Sequence, residues 1–273
     1  MLELASQMEE AVAVVRDRWG EQPVAGIILG TGLGRLADEI ADSVEIEYAE
    51  VPNFPQSTAI GHRGQLVCGK LAGKPVIAFQ GRFHLYEGNS AQQAAMPVRL
   101  LQALGTQVLV VSNAAGGLNP HYRVGDLMMI EDQINLQFDN PLIGVNDDNL
   151  GPRFPDMSAP YDLQLQQRTA DIAREAGIEL HRGVYVSVLG PNYETRAEYR
   201  MCRQLGGDAV GMSTTPETTA ARHADIQVLG FSTITNVGSP DMLDETDGHD
   251  VVANADAASD KLRRIVEGVI ASL

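Results

Sequence analysis

Residues 75–88 read PVIAFQGRFHLYEG, a short apolar run that ends in a cluster of polar and aromatic side chains. The apolar part predicts a buried strand, and Arg82, His84 and Tyr86 follow where that strand gives way to a loop. Arginine presents a planar fork of donors that fits phosphate oxygens, and His84 points the same way if the backbone stays extended. The stretch indicates an anion site, but a surface hairpin with an arginine at its edge and a packed histidine explains it equally well.

The composition limits the class of partner. The 273-residue chain carries a formal net charge of -16 at pH 7, and a field of this sign repels nucleic-acid backbones and anionic lipid. Its hydrophobic content of 44% suffices for the core of one α/β domain. We therefore expect a small-molecule partner, with no nucleic-acid polymer and no membrane involved. In so acidic a protein, donors gathered around Arg82 are informative.

The cysteines and the N-terminal residues bear on the compartment. Cys68 and Cys202 form no C-x-x-C pair, and acidic residues stand where the basic region of a signal peptide would be. No apolar run approaches the roughly 20 residues that a membrane-spanning helix needs. We expect a cytoplasmic protein.

A glycine-rich motif, GTGLG at residues 30–34, follows the apolar residues 24–29. A buried strand that feeds such a turn into a helix exposes backbone N–H groups and the Thr31 hydroxyl to an anion. A dinucleotide fingerprint needs its third glycine one position later, where Arg35 stands, and a P-loop needs a Lys-Ser/Thr pair, which is absent. The favoured interpretation is a mononucleotide or phosphate loop; structural glycines and a dinucleotide site are the alternatives.

Polar or glycine residues directly follow most of the predicted strands, and we call these positions strand tips. In open α/β sheets ligands bind outside the strand ends, so we expect the tips to meet in one cavity. Two of them have simpler explanations: residues 112–118 can form a tight turn, and Glu194 can complement the dipole of a helix capped by Thr195. The tips are Thr31, Arg82 with His84, Ala114, Glu194, Ser213 and Asn236.

Taken together and in this order, seven motifs closely resemble those of the trimeric purine nucleoside phosphorylases, over nearly the whole chain. The resemblance implies a single α/β domain, residues 1–273, with a mixed central β-sheet, partly barrel-like closure and flanking helices. It also implies a homotrimer with active sites near the subunit interfaces, no metal, and no cofactor, phosphate being a co-substrate. The motifs are GTGLG at 30–34, GHRG at 61–64, QGRFHLYEG at 80–88, NAAGGL at 113–118, GPNYET at 190–195, GMS at 211–213 and Thr235-Asn236.

The resemblance assigns site residues position by position. Two positions depart from the family's usual residue: Thr31 stands where the family commonly has Ser, and Tyr193 where it often has Phe. The implied catalytic residues are Asn236, Glu194 and His84. The phosphate site matches Thr31, His62, Arg82, His84, the backbone N–H of Ala114 and Ser213; the base site matches Tyr193, Glu194, Thr235 and Asn236; the ribose site matches Tyr86, Met212, His249 and, from the adjacent subunit, Phe154.

The implied activity is reversible phosphorolysis of 6-oxopurine nucleosides such as inosine and guanosine, a step of purine salvage. Family members that act on 6-aminopurines carry Asp where this chain has Asn236, so Asn236 favours 6-oxopurines. A methylthioadenosine-type phosphorylase and a non-catalytic nucleoside- or phosphate-binding protein are the alternatives. Incubation with inosine, with and without phosphate, separates the last of these, because a binding protein releases no base.

Overall fold

A computed structural model of the chain describes residues 4–30, 34–59, 61–238 and 247–273. Within these ranges the chain alternates between strands and helices, as the sequence predicts for an α/β protein. The strands are β1 Ala25–Leu29, β2 Ala41–Glu47, β3 Gln65–Leu71, β4 Lys74–Gln80, β5 Val108–Gly117, β6 Leu127–Asn135, β7 His181–Ser187, β8 Ala209–Gly211 and β9 Gln227–Val237. The α-helices are α1 Leu4–Arg18, α2 Ala91–Ala94, α3 Met96–Ala103, α4 Leu163–Glu175, α5 Arg196–Gln204, α6 Thr215–His223 and α7 Gly248–Ala271.

The described strands form one sheet, in the order β2-β3-β4-β1-β5-β8-β7-β6-β9, and β9 pairs with β5 as well. Strands β5, β8, β7, β6 and β9 therefore close into a barrel, while β1, β4, β3 and β2 extend from it as an open sheet. Parallel pairs such as β1–β5 coexist with antiparallel pairs such as β3–β4. The prediction of a mixed sheet with partly barrel-like closure is confirmed.

Helices cover the sheet from two sides. One apolar cluster takes Val15 from α1, Leu101 from α3 and Ala220 from α6. The other takes Leu165 from α4 and Ile265 from α7. Strand β1 is buried along its whole length, as expected of a strand covered on both faces. The C-terminal helix α7 thus covers part of the sheet.

The main departure from the sequence-based expectation is the length of β5. Residues 112–118 were predicted as a loop, but β5 continues to Gly117, pairing with β9 along its length and with β8 at Gly116 and Gly117. Partners on both sides satisfy the backbone N–H and C=O groups, which favours a strand even for small residues. The register shifts between Ala115 and Gly116.

Two helices also differ from the pattern. The residues after the glycine-rich turn form a six-residue 3-10 helix, Gly34–Glu39, in place of an α-helix. The helical segment after Ser90 is divided into α2 and α3, with Pro97 near the start of α3, because proline lacks the N–H that a continuous helix needs. Helix α5 begins as predicted, with Thr195 accepting from the backbone N–H of Glu198.

Candidate active site

A cavity of about 150 Å³ lies at the ends of strands β1, β4, β5, β8 and β9. The predicted strand tips within the described residues all meet in it. The cavity is lined by Gly30, His62, Arg82, His84, Tyr86, residues 113–116, Tyr193, Glu194, residues 210–213, Thr235, Asn236 and Val251.

Two described residues of the predicted set, Phe154 and His249, are not part of this lining. Thr31 lies outside the described residues. Phe154 is 87% exposed and borders a second cavity together with Arg153. His249 is exposed and is not among the described residues that line the cavity. Helix α7 begins at Gly248, which places His249 in its first turn, while Val251 reaches the cavity.

Arg82 is anchored below one end of the cavity and is only 1% exposed. Its Nε donates to Glu217 Oε1 at 3.1 Å, and its Nη1 donates to Ser213 Oγ at 2.9 Å. Its Nη2 is buried and has no hydrogen-bond partner within the described part of the chain. A guanidinium held by two partners and lacking a third has one edge left for an anion.

Three rings stack along one wall of the cavity. His84 lies between His62 and Tyr86, with ring centroids 5.4 Å and 4.6 Å apart and interplanar angles of 17° in both pairs. The backbone N–H of Arg82 donates to His62 Nδ1 at 3.2 Å, so the neutral His62 ring carries its proton on Nε2. His84 Nδ1 lies 3.0 Å from a carboxylate oxygen of Glu87, which leaves His84 Nε2 as the ring nitrogen free to meet a ligand.

The surroundings of these rings set their charge. Burial, reinforced by the charges of His84 and Arg82, lowers the pKa of His62 to about 3. Burial also lowers the pKa of His84, although Glu87 opposes this. For Glu87, burial raises the pKa, but hydrogen bonds from His84 and Thr58 outweigh it and bring the pKa to about 2. At pH 7 both histidines are neutral and Glu87 is ionised.

His62→Gln is expected to flatten the pH dependence of stability between pH 7 and pH 5. The folded-state pKa of about 3 lies below the unfolded value of about 6.5, so the unfolded chain binds the extra proton as the pH falls. Stability is fully present above the unfolded pKa and falls below it, by about 1–2 kcal/mol over this window. Urea unfolding at the two pH values measures the difference, with the exposed His121→Gln as the control. An undiminished pH dependence in His62→Gln would contradict the assignment.

Glu194 and Asn236 line the same cavity as Arg82. Burial is the main cause that raises the pKa of Glu194, and its Oε1 is buried with no partner in the described ranges. Thr235 Oγ1 donates to Asn236 Oδ1 at 3.3 Å. The hydroxyl of Tyr199, a residue 8% exposed, interacts with both Glu194 and Asn236. Tyr199 thus links the carboxylate of Glu194 to the amide of Asn236.

Sequence reasoning missed Glu217 and Tyr199. Each lies on the buried side of a helix that begins next to a predicted tip: Glu217 in α6 after Ser213, and Tyr199 in α5 after Glu194. A usable signal was the helical spacing from those tips, because residues in the first turns of such helices lie beside the strand ends. Without the tertiary contacts, Glu217 is indistinguishable from an acid that complements a helix dipole.

Comparison with known proteins identifies the family of this chain. Residues 24–271 match the Phosphorylase superfamily. Purine nucleoside phosphorylase 1 of Geobacillus stearothermophilus is 48% identical over 267 residues, 97% of each chain, and that of Bacillus subtilis is 50% identical over 249 residues, covering 91% of this chain and 92% of the relative. The chain therefore belongs to the Phosphorylase superfamily and, within it, to the purine nucleoside phosphorylases, which are pentosyltransferases; the resemblance predicted from the motifs is confirmed.

The fold agrees with solved structures. A Schistosoma purine nucleoside phosphorylase in complex with hypoxanthine superposes with a TM-score of 0.93 at 39% identity, over 98% of this chain and 97% of that chain. The Schistosoma mansoni enzyme in complex with inosine gives the same TM-score at 38% identity, over 98% of this chain and 96% of that chain.

Among the residues that the structure describes, no three His, Cys, Asp or Glu side chains group in a way that could hold a metal ion. In the same ranges no helix is long and apolar enough to cross a bilayer.

Proposed function

We propose that this purine nucleoside phosphorylase acts on 6-oxopurine nucleosides, such as inosine, guanosine and their 2′-deoxy forms. Phosphate cleaves the glycosidic bond reversibly, yielding the free base and ribose or deoxyribose 1-phosphate for purine salvage. The proposal rests on one cavity that is lined both by Arg82, whose Nη2 has no partner among the described residues, and by the Glu194–Asn236 pair. We assign phosphate to the Arg82 end and the purine to the Glu194–Asn236 end. Release of hypoxanthine from inosine that requires phosphate, measured by absorbance, tests it.

The first end of the cavity suits a phosphate ion. Arg82 Nη2 and the Ser213 hydroxyl supply charge-assisted and neutral hydrogen bonds, and the backbone N–H of Ala114 and the hydroxyl of Thr31 complete the proposed set. His62 Nε2–H adds a donor from the loop above. Neutral His84, whose Nδ1 faces Glu87, offers Nε2 to the proton of hydrogen phosphate, so that the dianion faces the sugar.

The transition state carries positive charge on the ribosyl group. Phosphate held under C1′ attracts that charge in a water-poor cavity, and holding the reactants in line saves the entropy of encounter. We assign Tyr86, Met212 and His249 to the ribose, with Phe154 of the adjacent subunit.

The purine leaves with electrons from the broken bond. Asn236 Nδ2 donates to the charge that develops at N7, and Glu194 accepts from N1–H and from a 2-amino group. Tyr193 and Thr235 complete the proposed base contacts. A 6-oxopurine carries a proton on N1, which matches the carboxylate acceptor of Glu194. A 6-aminopurine has a lone pair at N1 and would face that carboxylate unfavourably.

Asn236→Asp is expected to lower turnover of inosine and to raise turnover of adenosine. The aspartate accepts from the 6-amino group but repels the O6 of hypoxanthine. Steady-state kinetics on both nucleosides measure the ratio, which we expect to shift by about 10²-fold or more. Both are informative ligands, since the Schistosoma mansoni enzyme has been solved with inosine and with adenosine. An unchanged ratio would remove Asn236 from the specificity role.

We further propose a homotrimer of single-domain subunits, residues 1–273, working in the cytoplasm. Several apolar side chains between residues 138 and 154 are exposed: Phe138 is 90% exposed, Ile143 60% and Val145 66%. Ile143 borders the same cavity as Phe154. Such a patch is typical of a subunit interface. Cys68 and Cys202 are free and buried, which suits a reducing compartment. Light scattering that gives three times the 29.4 kDa chain mass would support the trimer.

A further inference from the structure

A second buried charge lies directly behind the phosphate end of the cavity. The side chains of Glu217 and Arg82 are each 2% exposed, and Glu217 Oε1 lies 3.1 Å from Arg82 Nε. Glu217 Oε2 is buried with no partner in the part of the chain that the structure describes. Removing a carboxylate from water is unfavourable unless its pairing is good. A buried carboxylate with only one of its two oxygens paired is therefore expected to serve a function at this position.

The charges around the phosphate position can be counted from the contacts. Burial raises the pKa of Glu217, and the charge and hydrogen bond of Arg82 oppose this. With the carboxylate ionised, Arg82 and Glu217 form a pair with no net charge. His84 is neutral and Glu87, whose oxygen lies 3.0 Å from His84 Nδ1, is ionised, so this pair carries a net negative charge. His62 accepts a backbone N–H at Nδ1 and is therefore neutral. Together these groups contribute no net positive charge.

An anion bound in such surroundings keeps its own charge. Its hydrogen bonds to Arg82, Ser213 and the backbone orient it, but the Arg82 charge is already balanced by Glu217. The unneutralised phosphate can then attract the ribosyl cation. A bare guanidinium would hold the free dianion more strongly than it holds the transition state, in which the sugar cation already balances part of that charge. Such an interaction improves ground-state binding and slows the chemical step.

We propose, on the basis of the function above, that Glu217 is a charge-compensating residue of the phosphate site: it cancels the charge of Arg82, which weakens phosphate binding and speeds glycosidic cleavage. Glu217 does not line the cavity in the described structure and acts through Arg82. Glu217 therefore affects bound phosphate only through its effect on the charge of Arg82, without touching the substrate.

An alternative role for Glu217 is to orient the guanidinium by its hydrogen bond alone. Arg82 has other partners for that purpose, since Nη1 donates to Ser213 Oγ at 2.9 Å and lies 3.5 Å from Thr214 Oγ1. The isosteric change Glu217→Gln keeps an oxygen acceptor for Arg82 Nε and removes only the charge. It therefore separates the two roles.

With Glu217→Gln, we expect the KM for phosphate to fall about fivefold and kcat on inosine to fall about tenfold, because the uncompensated guanidinium favours the ground-state dianion. The dissociation constant of inorganic phosphate, measured by titration calorimetry, should fall with KM. The matched control is Glu131→Gln, which removes an equal charge from an exposed ion pair with Arg182. The control should leave both constants unchanged.

The two roles of Glu217 predict opposite changes in the KM for phosphate. A rise in the phosphate KM of Glu217→Gln would show an orienting role and overturn the proposal. Unchanged constants would show that Glu217 carries no charge in the native state and would overturn it too. The calorimetric comparison needs no turnover. If the wild-type protein binds phosphate but does not cleave inosine, the proposed function is wrong. The effect of Glu217 on phosphate affinity can still be measured in that case.

A measurement of thermal stability tests the proposal even if Glu217→Gln folds poorly. Phosphate supplies the counter-ion that Glu217→Gln lacks, so phosphate should raise the Tm of the variant by more than it raises that of the wild type. An equal or smaller rise, or a chain that phosphate does not help to fold, would overturn the proposal.

Discussion

Arg82→Gln is expected to lower kcat/KM for phosphorolysis of inosine by about 10³-fold, with most of the loss in the KM for phosphate. Arg82 is the buried cation that faces the phosphate end of the cavity, and its Nη2 has no partner among the described residues. Glutamine is too short to reach the anion from the same backbone position and carries no charge. Initial rates over a range of phosphate concentrations, at saturating inosine, measure the effect.

The same change should also destabilise the fold. It leaves the carboxylate of Glu217 buried without its counter-ion, and breaking a buried pair in this way is expected to lower the unfolding free energy by about 3–5 kcal/mol. Arg99→Gln is the matched control. Arg99 is 2% exposed and donates to His223 Nδ1 at 3.1 Å and to Gln102 Oε1 at 3.0 Å, away from the cavity.

The control separates loss of a buried cation from loss of a phosphate ligand. Arg99→Gln should lose stability and keep the wild-type KM for phosphate. If Arg82→Gln raises that KM no more than Arg99→Gln does, Arg82 is a structural residue and the phosphate site lies elsewhere.

Glu194→Gln is expected to lower kcat/KM on inosine by about 10²-fold while leaving the protein as stable as before or more stable. The carboxylate is the proposed acceptor for purine N1–H, and the neutral amide replaces a charge-assisted hydrogen bond with a weaker one. The KM for phosphate, at the other end of the cavity, should stay close to the wild-type value. Loss of activity without loss of stability is typical of a residue kept for function.

The stability gain should depend on pH in a defined direction. Burial is the main cause that raises the folded-state pKa of Glu194 above its unfolded value, so at pH 7, where the unfolded carboxyl group is ionised, this group opposes folding. This penalty is present above the folded-state pKa and disappears as the pH falls toward the unfolded value of about 4.3. Glu194→Gln should therefore gain stability at pH 7 and lose that gain near pH 4.5. Calorimetric unfolding at both values checks it, and a variant less stable than wild type at pH 7 would contradict the proposal.

The pattern of apolar runs and turn residues was enough to predict most elements and the convergence of their tips. Strand β1, the β3–β4 hairpin, the capped helix α5 and the covering helix α7 follow from local periodicity and capping chemistry. The seven motifs, taken in order, predicted the family and the single mixed sheet. Local signals fail where tertiary pairing decides, as in β5, whose small residues become a strand only because β9 and β8 supply hydrogen bonds.

The site shows the same division. The sequence placed Arg82, His84, Glu194, Ser213 and Asn236 at strand ends, because the chain returns there after each buried strand, and all of them line one cavity.

What the sequence by itself determined is the α/β class, the family and the residues at the cavity wall, since these depend on short-range order along the chain. Only the tertiary structure decided that β5 to β9 close into a barrel, that His249 lies on the surface of α7 while Val251 lines the cavity, and that Glu217 meets Arg82 from 135 positions away. Those facts depend on contacts between segments remote in sequence. The charge and burial that shape the phosphate end arise only when such segments meet.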